Sequence, residues 1–406
     1  MEMSPRERLI KAIKHEEPDC VPIDMGGLDV TTLMAGPYRR LCDHLGVDPG
    51  PIYMADIMEQ CVIIDNGVHE KMGCNTNAKV IYFLPRSWYE GKAYDGTPVF
   101  LPDGFRPKTL PDGSQGVVDN EGNVDLIMPK GGYFFDAARH PLKDVDGVSD
   151  LDAFSDLIEN FDRPSWADLP WDELANYTKG LRESENKFLV GTFQGHIFQA
   201  AQFLRGWGEF MLDLAMRPAF AEALMDRLAE AHMRAFERYA ATVGRYVDVI
   251  EVADDLGTQD ALWMSPEMYR KHVKPYHAKL YKHIKGCCDA YLLMHSDGSL
   301  YPIIPDLIEI GVDILNPIQY TAKDMGLCRL KKEFGDDFCF WGGGIDTQKI
   351  LPFGTPDQVS DEVKRNIDIL APGGGFIFGP VHNITEGVPV HNIISAYQTA
   401  VEHGRY

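Results

Sequence analysis

Along its second half the chain alternates short apolar runs with longer amphipathic segments. The apolar, β-prone runs are each followed by a polar or glycine-rich exit, and they occupy residues 188–191, 247–250, 290–294, 312–315, 338–341 and 375–378. Between them, helical periodicity marks residues 217–242, 265–285, 300–310 and 355–370. Strands that alternate with helices on this spacing pair in parallel, with the helices as crossover connections.

Two further strands complete the predicted sheet. One is expected at residues 21–27, where an apolar run leads into Gly26 and Gly27, and the other within residues 51–84. A total of about eight strands favours a (β/α)8 TIM barrel over an open doubly wound sheet. The first strand is not followed by G-x-G-x-x-G, which argues against a dinucleotide-binding Rossmann fold.

Two predicted helices carry clear start signals. Ser4 can cap the first helix, Pro5 suits its first turn, and Glu7 can complete a capping box. Thr355 and Gln358 have the same spacing and predict a second capping box late in the chain. We expect a helix to begin at each of these sites.

The alternation is interrupted at about residues 80–170. This stretch is rich in Gly, Pro, Asp and aromatic residues, and its Asp-Gly turns are typical of short hairpins. We therefore predict a single barrel domain over residues 1–406 that carries a β-rich, hairpin-containing insertion. The insertion is equally consistent with a lid or partner surface and with a structural elaboration.

Composition narrows the class of protein. The formal net charge is -22 at pH 7, which disfavours nucleic acid and anionic membranes as partners. No apolar run has the roughly 20 residues that a membrane-spanning helix needs, and the first residues lack the apolar core of a signal peptide, so we expect a cytoplasmic protein. The 8 cysteines form no C-x-x-C pair, and we expect reduced thiols.

Polar side chains follow nearly every predicted strand. In a TIM barrel the carboxyl ends of the strands carry the chemistry, so these residues are the candidates for a functional site. They are Asp24, Gln194, His196, Glu251, Asp254, Asp255, His295, Asp297, Asn316, Gln319, Asp346 and His382. Two histidines and several carboxylates that converge on one end would suit a divalent metal such as zinc.

The motif His-Ser-Asp at 295–297 is the strongest of these signals. His295 and Asp297 leave a buried strand two residues apart and therefore on the same side. His295 is equally consistent with a core histidine, and Asp297 with a helix cap in an Asp-Gly turn. Asp254 and Asp255 fit a loop tip as well as a site, whereas His382 leaves the last strand behind Gly-Pro and is the better candidate.

Four segments outside the insertion form a recognisable set. They are RERLIKAI at 6–13, EPDCVP at 17–22, LIEIGVDILNPIQ at 307–319 and WGGGID at 341–346. Together they resemble the uroporphyrinogen decarboxylase superfamily, and within it the cobalamin-related methyltransferase branch. The set is specific to the superfamily and much less so to one activity.

The resemblance includes departures that argue against a tetrapyrrole decarboxylase. Decarboxylases of the superfamily carry an arginine-rich loop after the first strand that holds propionate carboxylates, whereas this chain has MGGLD at 25–29. Phe203 stands where those enzymes have a tyrosine. Asp56 does match the family's pyrrole-binding aspartate, and His382 matches its late histidine.

The same resemblance implies a zinc site of altered chemistry. Superfamily methyltransferases that methylate a thiol hold zinc with an H-x-C pair and a late cysteine. This chain has His295 and Asp297 at the pair and His382 near the position of the late cysteine. Oxygen and nitrogen in place of sulfur make a harder, more Lewis-acidic site, which suits polarising an ether oxygen better than activating a thiolate.

We therefore expect an enzyme, a methyltransferase of the cobalamin-dependent O-demethylation type. It would move a methyl group from a small methoxylated donor, in the first instance an aromatic methyl ether, to the Co(I) corrinoid of a separate corrinoid-binding protein. The expected catalytic residues are Asp255, His295 and His382, and the expected metal ligands are Glu251, His295, Asp297 and His382. The expected donor-binding residues are Asp56, Phe193, Gln194, His196, Phe203, Asn316, Gln319 and Trp341.

Other functions remain open at this level. They are methyl transfer from a methylcorrinoid to an acceptor, methyl transfer from a methylamine, a decarboxylase, and a non-catalytic corrinoid or tetrapyrrole binder. A homodimer is also expected from the resemblance. The sequence identifies neither the methyl donor nor the direction of transfer relative to cobalt.

Overall fold

The computed structural model describes residues 3–76, 78–81, 87–119, 121–161, 170–185 and 187–406. The strands, in chain order, are β1 (Met54–Asp56), β2 (Cys61–Val62), β3 (Ala78–Ile81), β4 (Trp88–Lys92), β5 (Pro98–Pro102), β6 (Lys108–Thr109), β7 (Gln115–Val118), β8 (Val124–Met128), β9 (Asp136–Ala137), β10 (Phe188–Gln194), β11 (Val249–Ala253), β12 (Tyr291–His295), β13 (Ile314–Asn316), β14 (Cys339–Trp341) and β15 (Phe376–Ile377).

The α-helices, in chain order, are α1 (Pro5–Ile13), α2 (Ala35–Leu45), α3 (Asn66–Met72), α4 (Ser155–Glu159), α5 (Trp171–Glu185), α6 (Phe198–Arg205), α7 (Trp207–Met216), α8 (Pro218–Tyr239), α9 (Pro266–Met268), α10 (Lys274–Cys287), α11 (Ile304–Glu309), α12 (Leu327–Phe334), α13 (Ile350–Phe353), α14 (Pro356–Leu370) and α15 (Val390–His403). Two π-helical turns, Ala240–Gly244 and Tyr269–Val273, follow α8 and precede α10.

Seven strands form one parallel sheet in the order β15-β14-β13-β12-β11-β10-β3. The predicted first strand adds to it through a parallel bridge between Ile23 and Phe378, next to β15. Asn75, just before β3, joins the two edges, because its side chain accepts from Ile23 N at 2.7 Å and donates to Val21 O at 3.2 Å. The predicted parallel α/β architecture is thereby confirmed, and the arrangement of its strands is consistent with the predicted (β/α)8 barrel.

The predicted strands are present, with shifted ends. The run at 188–191 extends to Gln194 as β10, whereas the run at 375–378 contributes only Phe376–Ile377 to β15. The strand expected within residues 51–84 is β3, and the same stretch also contains the antiparallel pair β1 and β2. Hydrophobic pattern thus predicted the existence and order of the strands better than their ends.

A separate core fills the inside of the barrel. Its side chains come from alternate positions of the parallel strands and include Phe188, Val190, Val249, Leu293, Ile314, Cys339, Trp341 and Ile377. Three residues of α1, namely Leu9, Ala12 and Ile13, belong to the same cluster. The first helix therefore seals the amino-terminal end of the barrel, and the carboxyl ends of the strands, here called the mouth, remain for the site.

Both predicted capping boxes are confirmed. Ser4 Oγ accepts from Glu7 N at 3.3 Å, and Glu7 Oε2 accepts from Ser4 N at 2.9 Å. Thr355 and Gln358 make the equivalent reciprocal pair at the start of α14. These bonds satisfy backbone N–H groups that the first turn of a helix leaves without partners.

The insertion contains the hairpins that its turn chemistry predicts. β4 and β5 form one antiparallel pair, and β6 to β9 form a four-stranded antiparallel sheet. Tyr94 at the end of this first hairpin hydrogen-bonds Glu386, which follows β15, so the insertion contacts a segment that leaves the barrel mouth. Residues 82–86, 120 and 162–169 of the predicted insertion lie outside the described residues. The prediction of one domain over 1–406 stays a prediction.

Two sequence-based expectations concern cysteines and membranes. All 8 cysteines have free thiols, as expected. Among the helices of the described residues, none combines the length and the apolar run that crossing a membrane requires.

Candidate metal centre at the barrel mouth

The period-two alternation of strand side chains places the polar residues of the site. Val249, Leu293 and Ile314 belong to the core inside the barrel. The residues two positions further along, Glu251, His295 and Asn316, therefore also point inward, one layer nearer the mouth. A polar layer thus replaces the apolar core where the strands end.

Asn316 orients the imidazole of His295. The Asn316 Nδ2 donates to the carbonyl of Trp341 at 2.9 Å, so its Oδ1 faces His295 Nδ1 at 2.8 Å. Nδ1 must then carry the proton, which leaves the Nε2 lone pair of His295 available in the mouth. A hydrogen bond of this kind is the usual second interaction of a metal-binding histidine, because it fixes the tautomer and the ring orientation.

His295, Asp297 and His382 come together at the mouth. One potential ligand atom from each residue lies within 4.8 Å of those from the other two. Among the described residues, this is the group of side chains that could hold a metal ion. His382 Nε2 is 3.9 Å from Asp297 Oδ2, and the two imidazole rings are 5.7 Å apart between centroids. Asp297 Oδ1 is buried without a hydrogen-bond partner in the protein, as expected for an oxygen that is free to bind an ion.

A close contact between two loops positions Asp297. Gly298 has φ +92°, and a Cβ there would lie 2.5 Å from the carbonyl carbon of Gly257 in the loop after β11. Only glycine allows this approach. As a result Asp297 N donates to Asp255 Oδ1 at 3.0 Å, and the same Asp255 oxygen lies 3.9 Å from His295 Nε2. Asp297 is therefore a mouth residue and not a helix cap, because Leu300 is the N-cap residue of the next helical turn, Tyr301–Ile303.

The mouth is strongly acidic. Burial by itself lowers the pKa of His382, but the negative charges of Glu59, Asp297, Asp255 and Asp29 outweigh burial and raise that pKa above its ordinary value. Glu59 Oε2 lies 3.8 Å from His382 Nδ1. The surroundings of His382 therefore favour positive charge, whether a proton or a metal ion.

Asp29 and Glu251 form a buried carboxyl pair in the polar layer. Glu251 Oε2 accepts from Thr192 Oγ1 at 2.6 Å, and Asp29 Oδ2 accepts from Gln194 Nε2 at 3.0 Å. Burial and the neighbouring Asp29 charge raise the pKa of Glu251 well above its usual range, and burial likewise raises the pKa of Asp29. Proximity of the two carboxyl groups therefore disfavours the state in which both are ionised.

A cavity of about 420 Å³ opens beside the three candidate ligands. Asp297 and His382 line it, together with Gln319, Gln348, Phe353 and Asn383. Its volume suits one small organic molecule. The lining is mostly polar, and Phe353 is its aromatic member.

The strands that build this site lie within a recognised sequence family. The profile of uroporphyrinogen decarboxylase (URO-D) matches residues 155–403, which is more than half of the chain and includes β10 to β15. The chain belongs to the uroporphyrinogen decarboxylase family. No curated protein matches it at a significant level.

One solved structure supports the fold of this family member. A methyltransferase from Methanosarcina mazei is 19% identical, with a TM-score of 0.59, and the alignment covers 99% of each chain. At this identity the likeness shows a shared fold. A D-psicose 3-epimerase, solved in the presence of D-fructose, matches at 10% identity over 62% of this chain and 83% of that chain, with a TM-score of 0.30.

Several sequence-predicted residues of this uroporphyrinogen decarboxylase family member lie at the mouth as expected. Gln194 contacts Asp29, and Gln319 lines the cavity while its Oε1 accepts from Gly298 N at 2.6 Å. Asp56 ends β1 and lies close to Glu59, and burial, followed by the Glu59 charge, raises the pKa of Asp56 to about 7. Asp56 is thus electrostatically part of the mouth.

Two predicted donor-binding aromatics belong to the core instead. Phe193 points away from the mouth and packs edge-on against Phe236 of α8, with ring centroids 4.9 Å apart. It is the odd-numbered neighbour of inward-facing Thr192 and Gln194, so strand alternation turns it toward the helices. Trp341 is fully buried inside the barrel and donates its indole N–H to Asp24 Oδ2 at 2.9 Å. Both predictions are corrected.

The predictions for Asn316 and Glu251 need correction, whereas the role predicted for the His196 side chain stays a prediction. Asn316 is fully buried between His295 and Trp341, so it positions a ligand and has no free group for a donor. Glu251 is fully buried, bonds Thr192 and lies outside the group formed by His295, Asp297 and His382. Asp255 is also outside this group, but its Oδ1 lies 3.9 Å from His295 Nε2. The backbone carbonyl of His196 accepts from His232 Nε2 at 2.7 Å, so His196 helps join β10 to α8.

Phe203 belongs to an aromatic cluster in the segments that follow β10 and β11. Its ring lies 5.5 Å from that of Trp207 and 6.3 Å from that of Phe161, and Trp207 in turn lies 5.7 Å from Trp263. Trp263 is 37% exposed. The structure therefore puts the aromatic surface of Phe203 in this cluster and not in the lining of the 420 Å³ cavity.

Asp254 has a structural role. Its carboxylate accepts from the backbone N–H groups of Ile197, Phe198 and Gln199, at 2.6 to 3.0 Å, and thereby caps α6. His277 Nε2 lies 2.8 Å from the same group. Burial by itself raises the pKa of Asp254, but these partners lower it by a larger amount. The net shift of the Asp254 pKa is therefore downward. Of the adjacent pair, Asp255 alone faces the metal centre.

The sequence did not single out Asp29 or Glu59 as site residues. Asp29 stood in the MGGLD segment at 25–29, and Glu59 follows the family aspartate Asp56 by three positions. Asn383, directly after His382, was also missed, and it donates to Glu59 Oε2 at 2.6 Å. Adjacency to Asp56 and His382 was the local signal available for the last two, whereas Asp29 reaches the site through the fold alone.

Proposed function

We propose that this protein is a corrinoid-dependent methyltransferase. It takes a methyl group from a small methoxylated donor, in the first instance an aromatic methyl ether, and transfers it to the Co(I) corrinoid of a separate carrier protein. Membership of the uroporphyrinogen decarboxylase family and the fold shared with a methyltransferase support this proposal. The observation that carries it is the convergence of His295, Asp297 and His382 at the mouth.

The three side chains fit a zinc ion. His295 presents Nε2 with its tautomer fixed by Asn316, and Asp297 Oδ1 is a buried oxygen without a protein partner. Zinc binds imidazole nitrogen and carboxylate oxygen, and a catalytic site keeps one position open for substrate. Bound here, zinc would supply Lewis acidity that draws electron density from the ether oxygen of the donor.

The protein's own groups perform the remaining tasks. The 420 Å³ cavity beside His382 holds the donor with its ether oxygen toward the candidate ligands. Asp255, 3.9 Å from His295 Nε2, serves as fourth ligand or as the acid that protonates the departing oxygen. An alkoxide or phenoxide is a poor leaving group, so stabilising that oxygen is the main energetic requirement of the transfer.

Metal content gives the first test. Purified protein is expected to hold about one zinc per chain, and His295→Ala or His382→Ala should lower this occupancy. His391→Ala, at an exposed position on α15, is the matched control and should keep it. Wild-type protein that binds no zinc, and that loses no activity on chelation, would refute metal activation.

An anaerobic absorption assay tests the transfer itself. Cob(I)alamin is mixed with the protein and a methoxyaromatic compound, and the spectrum of methylcobalt(III) is expected to appear. Parallel samples contain methylamines or methanol as donors. Demethylation of methylcobalamin by a thiol, with no methylcobalt formed from any donor, would reverse the proposed direction of transfer.

A further inference from the structure

The cavity beside the metal centre is surrounded by carboxylates. The charges that act on the pKa of His382 come from Glu59, Asp297, Asp255 and Asp29. Glu59 lies directly beside two lining residues, because its Oε2 accepts from Asn383 at 2.6 Å and lies 3.8 Å from His382 Nδ1, and its side chain keeps 32% of its exposure. The cavity is therefore both open and negatively charged.

No cation of the lining offsets these charges. Within the described residues, the cavity lining contains neither lysine nor arginine. Glu386, also in the lining, has its own ion pair with Arg40 at 2.9 Å, so the Arg40 charge is already matched. A divalent ion held by His295, Asp297 and His382 would supply two positive charges. It would not fully neutralise the three carboxylates Glu59, Asp255 and Asp297.

Unpartnered oxygens show what the site accepts. Glu251 is fully buried, and its Oε1 has no hydrogen-bond partner in the protein. Asp29 Oδ1 and Asp297 Oδ1 are also buried without a partner. Glu251 and Asp29 interact with each other, so one shared proton can satisfy that pair. Asp297 Oδ1, by contrast, belongs to a residue that lines the cavity and is open to a cation or a hydrogen-bond donor.

We infer that the cavity takes methyl donors that carry no anionic group, and that Glu59 excludes ethers bearing a carboxylate. The inference rests on the proposed function, in which a methoxylated donor binds in the cavity. It concerns the substituents of that donor other than the methoxy group. A carboxylate within several ångströms of Glu59 would be repelled in a partly dehydrated cavity. A hydroxyl or ammonium group in the same place would instead donate to the unpaired oxygens.

The test compares three ring compounds of similar size. They are ortho-methoxyphenol, the same ring with a para-carboxylate, and the same ring with a para-aminomethyl group. Binding to zinc-supplemented protein is measured by calorimetry, and methylcobalt formation is measured separately. We expect the neutral and cationic compounds to bind at least about tenfold more tightly than the carboxylate.

Variants assign the discrimination to residues. Glu59→Gln keeps an oxygen that can accept from Asn383, and it should reduce the preference for the neutral compound over the carboxylate by at least about threefold. Glu402→Gln makes the same chemical change at an exposed position on α15 and should leave the preference unaltered.

The experiment distinguishes failure of this inference from failure of the proposed function. Carboxylate binding as tight as that of the neutral compound, or binding of none of the three compounds, overturns the inference. An unchanged preference in Glu59→Gln overturns the assigned residue. If the expected order of binding is found without methylcobalt formation, the cavity specificity stands and the methyl transfer fails.

Discussion

Replacing Asn316 by alanine probes how the fold prepares His295 for a metal. Asn316 is fully buried and makes two hydrogen bonds, to His295 Nδ1 at 2.8 Å and to the carbonyl of Trp341 at 2.9 Å. Removing it leaves two buried groups unpaired, at about 1 to 3 kcal/mol each. It also frees the imidazole to rotate or to change tautomer, and loss of such an outer partner typically lowers metal affinity about 10- to 100-fold, or about 1.4 to 2.8 kcal/mol.

The assay separates metal binding from stability. Zinc affinity is measured by competition with a chromophoric chelator, and the free energy of unfolding by urea denaturation of the metal-free protein. Asn392→Ala is the matched control, because Asn392 is equally buried and donates to two carbonyls, of Leu351 and Gly354, at 2.8 Å each. We expect both variants to lose stability and only Asn316→Ala to lose zinc affinity.

A second variant sharpens the result. Asn316→Asp keeps an oxygen that accepts from His295 Nδ1 but loses the donor to Trp341, so zinc affinity should recover while stability should not. Zinc affinity of Asn316→Ala within about threefold of wild type would refute the positioning role. An equal loss of affinity in Asn392→Ala would show that general destabilisation explains the effect.

Three further changes test the electrostatics and the corrected assignments. The pKa of Asp56 is raised to about 7, so the stability that its protonated form contributes is present below pH 4 and is lost as pH rises toward 7. Asp56→Asn should therefore be more stable than wild type at pH 8 by about 2 to 4 kcal/mol. In urea titrations the variant should also show a flatter pH dependence of stability. Trp341→Phe leaves Asp24 without the indole donor, and it should lower the free energy of unfolding by about 1 to 3 kcal/mol without changing zinc affinity. Asp254→Asn weakens the cap of α6 and should cost about 1.5 to 3 kcal/mol in the same denaturation experiment, again with zinc affinity kept.

Each of these expectations has a contrary result. An unchanged pH dependence in Asp56→Asn would show that other groups dominate the pH dependence of stability between pH 4 and 7. Loss of zinc from Trp341→Phe, with the fold intact, would return Trp341 to the site. A stability of Asp254→Asn equal to that of wild type would remove its capping role.

Strand alternation explains both the successes and the errors of prediction at the mouth. Glu251, His295 and Asn316 each follow an inward-facing apolar residue by two positions, so a consistent register places them inside the barrel. The same register turns Phe193 outward to α8, where the structure has it. The prediction that Phe193 binds the donor was wrong because this register directs its ring toward α8.

Depth along the barrel could not be obtained from register alone. Trp341 faces inward, as an inward register implies, yet it lies in the apolar core and bonds Asp24. Whether an inward residue belongs to the core or to the mouth depends on the stagger of the strands, which the pairing of the whole sheet determines. The ends of strands are also the least predictable part of a sequence-based assignment.

The sequence by itself determined the order of strands and helices, the capped starts of α1 and α14, and the polar residues that leave each strand, because these depend on local periodicity and local hydrogen bonding. Only the tertiary structure decided which of those polar residues meet. His295 and His382 leave different strands, and Asp29 and Glu59 come from segments near the start of the chain, so their convergence depends on closure of the barrel. Closure also decided the burial that perturbs their pKa values, since burial is a property of the packed molecule and not of any segment.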